Sequence, residues 1–334
     1  MGAPSPSGSR TGRMTGLVFA AGVIAAVLGA LWRSWRRSAV GRGGRDPQWS
    51  GWAVAPVACP HCRSAPSWDA AERAYACPDC ARAYPVREGI VHFLEADELG
   101  PMDRRFAHLY DWFSWVYPAF TRVGFALLGS SESRGRAEVL DRLDPRGGRL
   151  LEVSVGPGSN LPYLVGRADI GEVHALDISI GQLRRCRNLV RRRGWSVPMY
   201  LASAEALPFA DDSFDAVLHI GGINFFDDVA AAMAEMARVA KPGVRVVIVD
   251  ENERGARAYE RTLPGFRSSF DGARPAITAP VGLVPEGMEQ VSVSGVWRGW
   301  FYCLEFVTPG ECGDRAREEV ARDRDRDRGG PAGP

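Results

Sequence analysis

The chain has 334 residues, 46% of them hydrophobic and 24% charged, with a formal net charge of +1. That is ample apolar material for a globular core and too even a charge balance for a general polyanion binder. All but one of the 41 Lys and Arg residues are Arg, Lys241 being the exception, which reads as codon bias of a GC-rich genome before it reads as function.

Residues 1–15 are rich in Gly, Ser and Pro and are expected to be disordered. Gly16 to Trp32 then runs without a charge, GLVFAAGVIAAVLGALW, flanked by Arg10 and Arg13 before and by Arg33, Arg36, Arg37, Arg42 and Arg45 after. Seventeen helical residues reach about 25 Å, just short of a bilayer core, and snorkelling flanks make up such a difference. The expectation is a single-pass membrane anchor, with the heavier positive flank holding the rest of the chain on the cytoplasmic side and Trp32 and Trp35 at the interface. A cleaved signal peptide, a transit sequence and a buried core helix fit less well. Leu28-Gly29-Ala30 is a poor cleavage site, the apolar run is uninterrupted, and the flanks read as linker.

After a Gly/Arg-rich linker within 33–55 come two matched pairs, CPHC at Cys59 and Cys62 and CPDC at Cys77 and Cys80, with fourteen residues between them. Two-residue gaps let both sulfurs of a pair reach one ion, so four thiolates in this pattern point to a tetrahedral structural Zn²⁺. Disulfides or a redox pair are the competing reading, but a redox CxxC comes singly. His61 reads as a neighbour of the site, not a ligand. With the following Tyr84-Pro85-Val86-Arg87-Glu88-Gly89-Ile90 run, residues 56–96 resemble the zinc ribbon of the tRNA-methyltransferase-activator type. The resemblance implies a structural or substrate-presenting role, because a four-thiolate zinc has no open position.

Residues 102–130 carry eight aromatics between Phe106 and Phe125, with Phe106, Tyr110, Phe113 and Tyr117 at helical spacing. A helix packed on the domain is expected, and Tyr110 is a candidate for lining a greasy substrate pocket beneath it as a lid. From Arg134 onward strands and helices alternate. Strands are predicted at 149–153, 172–177, 198–201, 214–219, 244–250, 289–295 and 300–306, with helices over Ile180–Arg193 and Asp227–Val239 and a terminal hairpin across Gly295–Gly299. The expected fold is α/β, a doubly wound, mostly parallel seven-stranded sheet of Rossmann-like type occupying 131–310. The tail from 311 reads as a disordered, solvated end.

Four features of this region align. Leu150–Asn160 delivers an acid, Glu152, from an apolar strand into a glycine turn, where the backbone can approach a ligand. Asp177 ends the next strand, 25 residues after Glu152, where a carboxylate can accept from ribose hydroxyls. Ala202–Phe209 follows the third strand, and Glu235–Gly243 leads through Lys241-Pro242-Gly243 into the fifth. Together, Glu152–Gly158, Asp177–Ser179, Ala202–Asp215 and Lys241–Val244 resemble a class I S-adenosylmethionine-dependent methyltransferase of the ubiquinone and menaquinone type.

The resemblance implies S-adenosylmethionine as cofactor. Glu152, Ser154, Gly156 and Gly158 would frame its methionine end, Asp177 its ribose, and Ser203 with Ala204 its adenine; Ile178 and Glu205 are the remaining cofactor-binding candidates. Three positions depart from the family pattern: Ser154 replaces a glycine, Ser203 an aspartate and Val244 a second glycine. They leave room for weakened cofactor affinity or a non-catalytic relative. His219 is a candidate base, although a lone strand His is more often a core residue, and Asn224 and Phe225 are candidates for the substrate pocket. The function expected is methyl transfer to a lipophilic, quinone- or lipid-like small molecule at a membrane face. The alternatives are an RNA or protein methyltransferase docking through the ribbon, and a membrane-tethered non-catalytic cofactor-binding scaffold; the even charge disfavours nucleic acid.

Overall fold

The computed structural model describes residues 56–94, 99–101, 104, 131–262 and 276–310. In chain order its strands are β1 (Ser67–Asp69), β2 (Ala74–Ala76), β3 (Ala83–Arg87), β4 (Ile90–His92), β5 (Arg149–Val153), β6 (Glu172–Asp177), β7 (Met199–Leu201), β8 (Ala216–Ile220), β9 (Arg245–Glu251), β10 (Glu289–Val296) and β11 (Phe301–Val307). The helices are α1 (Glu132–Leu140), α2 (Leu161–Leu164), α3 (Ile180–Arg193), α4 (Val229–Val239) and α5 (Glu253–Thr262).

Eleven strands form one mixed sheet in the order β1-β2-β3-β4-β7-β6-β5-β8-β9-β11-β10. The run from β4 through β9 is parallel, and β11 lies antiparallel on β9 with β10 outside it. Parallel strands covered on both faces need apolar side chains on both, and β5, β8 and β9 are buried along almost their whole length. One apolar cluster packs Leu183, Cys186 and Val190 of α3 against Leu150 and Ala175; the other packs Ala232, Met233 and Met236 of α4 against Leu151, Val153 and Ile248.

The helix over Ile180–Arg193 starts where Ser179 accepts from the Gln182 N–H at 3.1 Å and stops at Gly194, whose φ of 66° continues no helix. The expected start of the next helix moves two residues, to Val229, because Asp228 serves as its N-cap, accepting from Ala231 at 2.9 Å. Strand β8 begins at Ala216 instead of 214, Phe214 making only an isolated parallel bridge to Ala240.

The seven strands expected within 131–310 are present as β5–β11, and β1–β4 extend the same sheet to eleven strands among the described residues. The cysteine-bearing segment is not a separate unit beside the sheet; its strands are the sheet's continuation, with β4 paired in parallel to β7 through Ile90↔Met199, Val91↔Tyr200 and His92↔Leu201. Without it β7 would present an open row of backbone donors and acceptors. Aromatic rings bind the two parts, Tyr84 to Phe93 at 4.7 Å between centroids, Phe93 to Tyr200 at 6.4 Å and Tyr200 to Phe209 at 4.9 Å.

The membrane expectation is also corrected: among the described residues no helix is long and apolar enough to cross a membrane, so the single-pass reading has no support. Residues 16–32 themselves lie outside the described residues, as do Tyr110, nearly all of the 102–130 aromatic stretch, and both terminal stretches.

Candidate functional site

Strand order reverses between β6-β5 and β5-β8, so the crevice at the carboxyl ends of β5 and β8 is the topological switch point, where open α/β sheets bind ligands. The Leu150–Asn160 stretch occupies it. Ser154, Gly156 and Gly158 all adopt left-handed backbone, with φ of 59°, 57° and 82°. A Cβ on Gly158 would come within 3.0 Å of the Cys186 sulfur, whereas the space beside Gly156 is open for 4 Å. Gly158 is therefore a packing requirement and Gly156 a point of access.

Glu152 is buried, and the Asn160 side chain donates to its Oε1 at 2.5 Å while Oε2 has no partner. Arg136, buried on α1, donates to the Asn160 side-chain oxygen and to Glu132 Oε1 at 3.0 Å. Burial pushes the Glu152 carboxyl up to about 7, against the pull of the Asn160 hydrogen bond and the Arg136 charge. Asn160 spends its side chain on Glu152 instead of capping the following helix, and α2 is a single turn of four residues. The long helix N-terminus that a glycine turn usually introduces is thus absent here.

Asp177 accepts from the Gly156 N–H at 2.7 Å and from the Ser179 N–H at 2.8 Å, which ties the end of β6 to the glycine turn. Ile178 beside it is half-buried. Ser203 Oγ accepts from the Glu205 N–H at 3.1 Å and so caps the 3-10 turn Ala204–Ala206. Glu205 Oε1 in turn accepts from Asp228 N at 2.6 Å. The structure therefore brings Glu152, Ser154, Gly156, Gly158, Asp177 and Ile178 to one place at the switch point, while Ser203, Ala204 and Glu205 follow β7, two strands away.

His219 is separate from this set. It pairs with Val153, so its ring points to the α4 side, whereas Glu152, between Leu151 and Val153, points to the α3 side. It is fully buried, packs edge-on against Phe226 at 5.4 Å, and neither ring nitrogen has a well-aligned partner. Burial pulls it down to about 4, the Asp250 carboxylate opposing, so it is a neutral imidazole at physiological pH. Asn224 is held on both ends of its amide, donating to the Glu251 carbonyl at 2.9 Å and accepting from the Tyr302 hydroxyl at 3.1 Å. Phe225 beside it is buried.

Asn160, Arg136, Asp250 and Tyr302 escape a reading of motifs. Asp250 accepts from Gly222 N at 3.2 Å and Asn224 N at 2.9 Å and so shapes the turn after β8. Asn160 lay inside the motif but asparagine after a glycine turn reads as a cap; Arg136 and Tyr302 carry no local signal, because their roles depend on packing between distant elements.

The four sulfurs of Cys59, Cys62, Cys77 and Cys80 lie within 4.8 Å of one another. Cys59 and Cys80 are 3.5 Å apart and Cys62 and Cys77 3.3 Å, near the roughly 3.8 Å edge of a tetrahedron with Zn–S bonds of about 2.3 Å. Tyr84 OH sits 2.9 Å from the Cys59 sulfur, the kind of outer hydrogen bond that fixes a ligand's orientation. Hydrogen bonding with Ser64 holds the Cys62 thiol down to about 6.

Residues 151–248 match the family model described as a methyltransferase domain. That stretch, running from β5 into β9, is similar to a methyltransferase domain. The chain is 36% identical over 152 residues to a demethylmenaquinone methyltransferase of Renibacterium salmoninarum, an alignment covering 45% of this chain and 61% of that protein. It is also 36% identical over 105 residues to a ubiquinone/menaquinone biosynthesis C-methyltransferase UbiE of Burkholderia mallei, covering 31% of this chain and 43% of that protein. The chain thus spans less than two thirds of the length of the curated relatives it matches. Among solved structures, an S-adenosylmethionine-dependent methyltransferase from Aquifex aeolicus aligns with 52% of this chain and 88% of its own at 22% identity and a TM-score of 0.41. The switch-point residues Glu152 to Gly158, Asp177 and Ser203 to Glu205 all fall inside the matched stretch 151–248; the cysteine cluster falls outside it.

Proposed function

We propose that the protein transfers the methyl group of S-adenosylmethionine to a lipophilic, quinone-like small molecule. The observation that carries this reading is the arrangement at the switch point: a buried Glu152 with one partnerless oxygen beside a glycine turn that is open at Gly156. A partnerless carboxyl oxygen in such a place suits the ammonium of the cofactor's methionine end, and the open face of Gly156 admits it. Asp177, tied to the glycine turn through the Gly156 and Ser179 N–H groups, is assigned to the ribose hydroxyls. Ile178, Ser203, Ala204 and Glu205 are assigned to the adenine side.

The cofactor supplies an electrophilic methyl on a sulfonium, and the chain's residues supply alignment, because in-line displacement depends chiefly on holding nucleophile and methyl in register. Asn224 and Phe225, fixed by Asp250 and Tyr302, are assigned to the acceptor's side, as is Tyr110 from the sequence. His219, neutral and buried on the α4 side of the sheet, is the assigned base where the acceptor arrives protonated. The four cysteines are assigned a structural Zn²⁺. The quinone-like acceptor rests on the relatives, which are named as menaquinone and ubiquinone methyltransferases.

The test is calorimetric titration with S-adenosylhomocysteine, followed by labelled-methyl transfer from S-adenosylmethionine into total lipid extract, total RNA and a peptide pool in parallel. Micromolar binding with label in the lipid fraction is expected. Label in RNA or peptide would replace the acceptor class, and absence of binding would sink the methyltransferase reading. Binding without transfer to any pool would favour a cofactor-binding scaffold, a rival supported by Ser203, whose hydroxyl oxygen is already engaged by Glu205 N at 3.1 Å.

A further inference from the structure

The cysteine segment reaches across the molecule to the loop after β7. Arg63, one residue beyond Cys62, donates from Nη2 to Glu235 Oε1 at 2.7 Å and from Nη1 to Glu235 Oε2 at 3.0 Å, a paired contact between chain positions 172 apart. The same Glu235 Oε2 accepts from the Leu207 N–H at 2.8 Å, and Arg63 Nη1 also reaches the Leu207 carbonyl at 3.3 Å. Flanking backbone bonds run from Ala58 N to the Pro208 carbonyl at 3.0 Å and from Ala210 N to the Pro56 carbonyl at 2.8 Å. Arg63 takes a left-handed φ of 66° and its N–H bonds the Cys59 carbonyl at 2.9 Å, so the knuckle that gathers the cysteines also aims its guanidinium.

We infer that Arg63 is a positioning residue of the cofactor site, acting through Glu235 on the Leu207 backbone to hold the Ser203–Leu207 loop where the adenine binds. This rests on the adenine assignment made above. A second contact between the cysteine segment and the domain serves as a control: Glu88 meets Arg187 at 2.5 Å and Arg184 at 3.3 Å on the exposed side of α3, away from that loop. Arg63 is 43% exposed and Arg238 also binds Glu235, so its loss slackens the loop without dismantling it. The geometry makes the effect local to the adenosine half of the ligand.

The experiment titrates the full chain with S-adenosylhomocysteine and with 5′-methylthioadenosine, and follows amide hydrogen exchange of the ligand-free protein. Arg63→Ala is expected to raise both dissociation constants by about tenfold, the scale of one charge-assisted hydrogen-bonded contact in a partly exposed setting. Exchange should quicken at Leu207 and its neighbours while 150–160 is unchanged. Glu88→Gln should leave both constants within about twofold. Should Arg63→Ala not fold, Arg63→Lys reads the same contact, since it keeps the charge but loses the forked donor geometry, with an expected rise of about threefold. Constants within twofold of wild type for the Arg63 variants, or an equal loss in Glu88→Gln, would overturn the inference. A wild-type chain that binds neither ligand would remove the adenine assignment and the inference with it.

Discussion

The Asp177 carboxylate and the Gly156 N–H are joined by a 2.7 Å hydrogen bond that links the end of one strand to the glycine turn after its neighbour. The other oxygen takes the Ser179 N–H at 2.8 Å, so a single side chain sets both the turn and the start of α3. Two backbone N–H groups bonded to an ionised acceptor are worth more than neutral pairs. Asp177→Asn keeps the shape, removes the charge, and turns one acceptor into a donor facing another donor. The expected outcome is a loss of about 2 kcal/mol of stability by urea denaturation, and a weakening of S-adenosylhomocysteine binding beyond tenfold by calorimetry. A variant as stable as wild type would mean that these two bonds do not organise the turn.

Glu152 gives the protein a pH signature. Its carboxyl is raised from 4.5 to about 7 by burial, so between those values the folded chain holds a proton that the unfolded chain has released. Stability from this group is fully present below about 4.5 and lost as pH rises through about 7. The size is on the order of 3 kcal/mol, most of it falling between pH 5 and pH 8. Glu205 and Glu251 are also raised by burial and titrate in the same direction, so the measurement is the difference between wild type and Glu152→Gln in urea denaturation across that range. Wild type should lose that amount relative to the variant; parallel curves would show that Glu152 is not held protonated.

The two serine departures from the family pattern separate in the structure. Ser154 sits at φ 59°, a conformation that costs a non-glycine residue about 1–2 kcal/mol, offset in part by glycine's greater entropy loss on folding. Ser154→Gly is therefore expected to stabilise by about 0.5–1 kcal/mol and to change cofactor affinity little. Ser203 is a cap for Glu205 N, and aspartate caps at least as well while adding a charge-assisted acceptor. Ser203→Asp should keep stability and tighten S-adenosylhomocysteine binding several-fold. If the affinity change follows Ser154→Gly instead, the adenine side has been placed wrongly.

Much of this arrangement is written locally in the sequence. Strands β6 and β9 are short apolar runs closed by an acid at Asp177 and Glu251, β5 carries Glu152 one residue before its end, and the bounds of α3 are spelled by Ser179 and Gly194. What the sequence could not reveal is pairing at a distance. Nothing near Ile90 says that β4 will lie beside Met199 in β7, so the cysteine segment reads as an independent ribbon when it is the sheet's own extension. The Arg63–Glu235 contact and the Arg136–Asn160–Glu152 chain are illegible for the same reason: each needs elements that come together only after the sheet is built. The anchor read from 16–32 had a different weakness. Hydropathy reports that a segment could enter a bilayer and says nothing of whether the domain beyond it needs one.

That extension makes the cysteine cluster a matter of stability for the whole sheet. Strands β1 to β3 are only three to five residues long, too little pairing to persist without a staple. A four-thiolate Zn²⁺ contributes its binding free energy to folding. The protein is expected to contain about one zinc per chain by plasma emission spectrometry. Cys77→Ser, which removes a buried ligand, should lose the metal and lower the melting temperature. Because β7 would then become an open edge, the variant should also aggregate faster on warming than wild type, measured by light scattering. Chelation of the wild-type protein should reproduce both changes, and re-addition of zinc should reverse them. A metal-free wild type that melts at the same temperature as the zinc-loaded protein would show that the cysteines hold the sheet edge by packing alone.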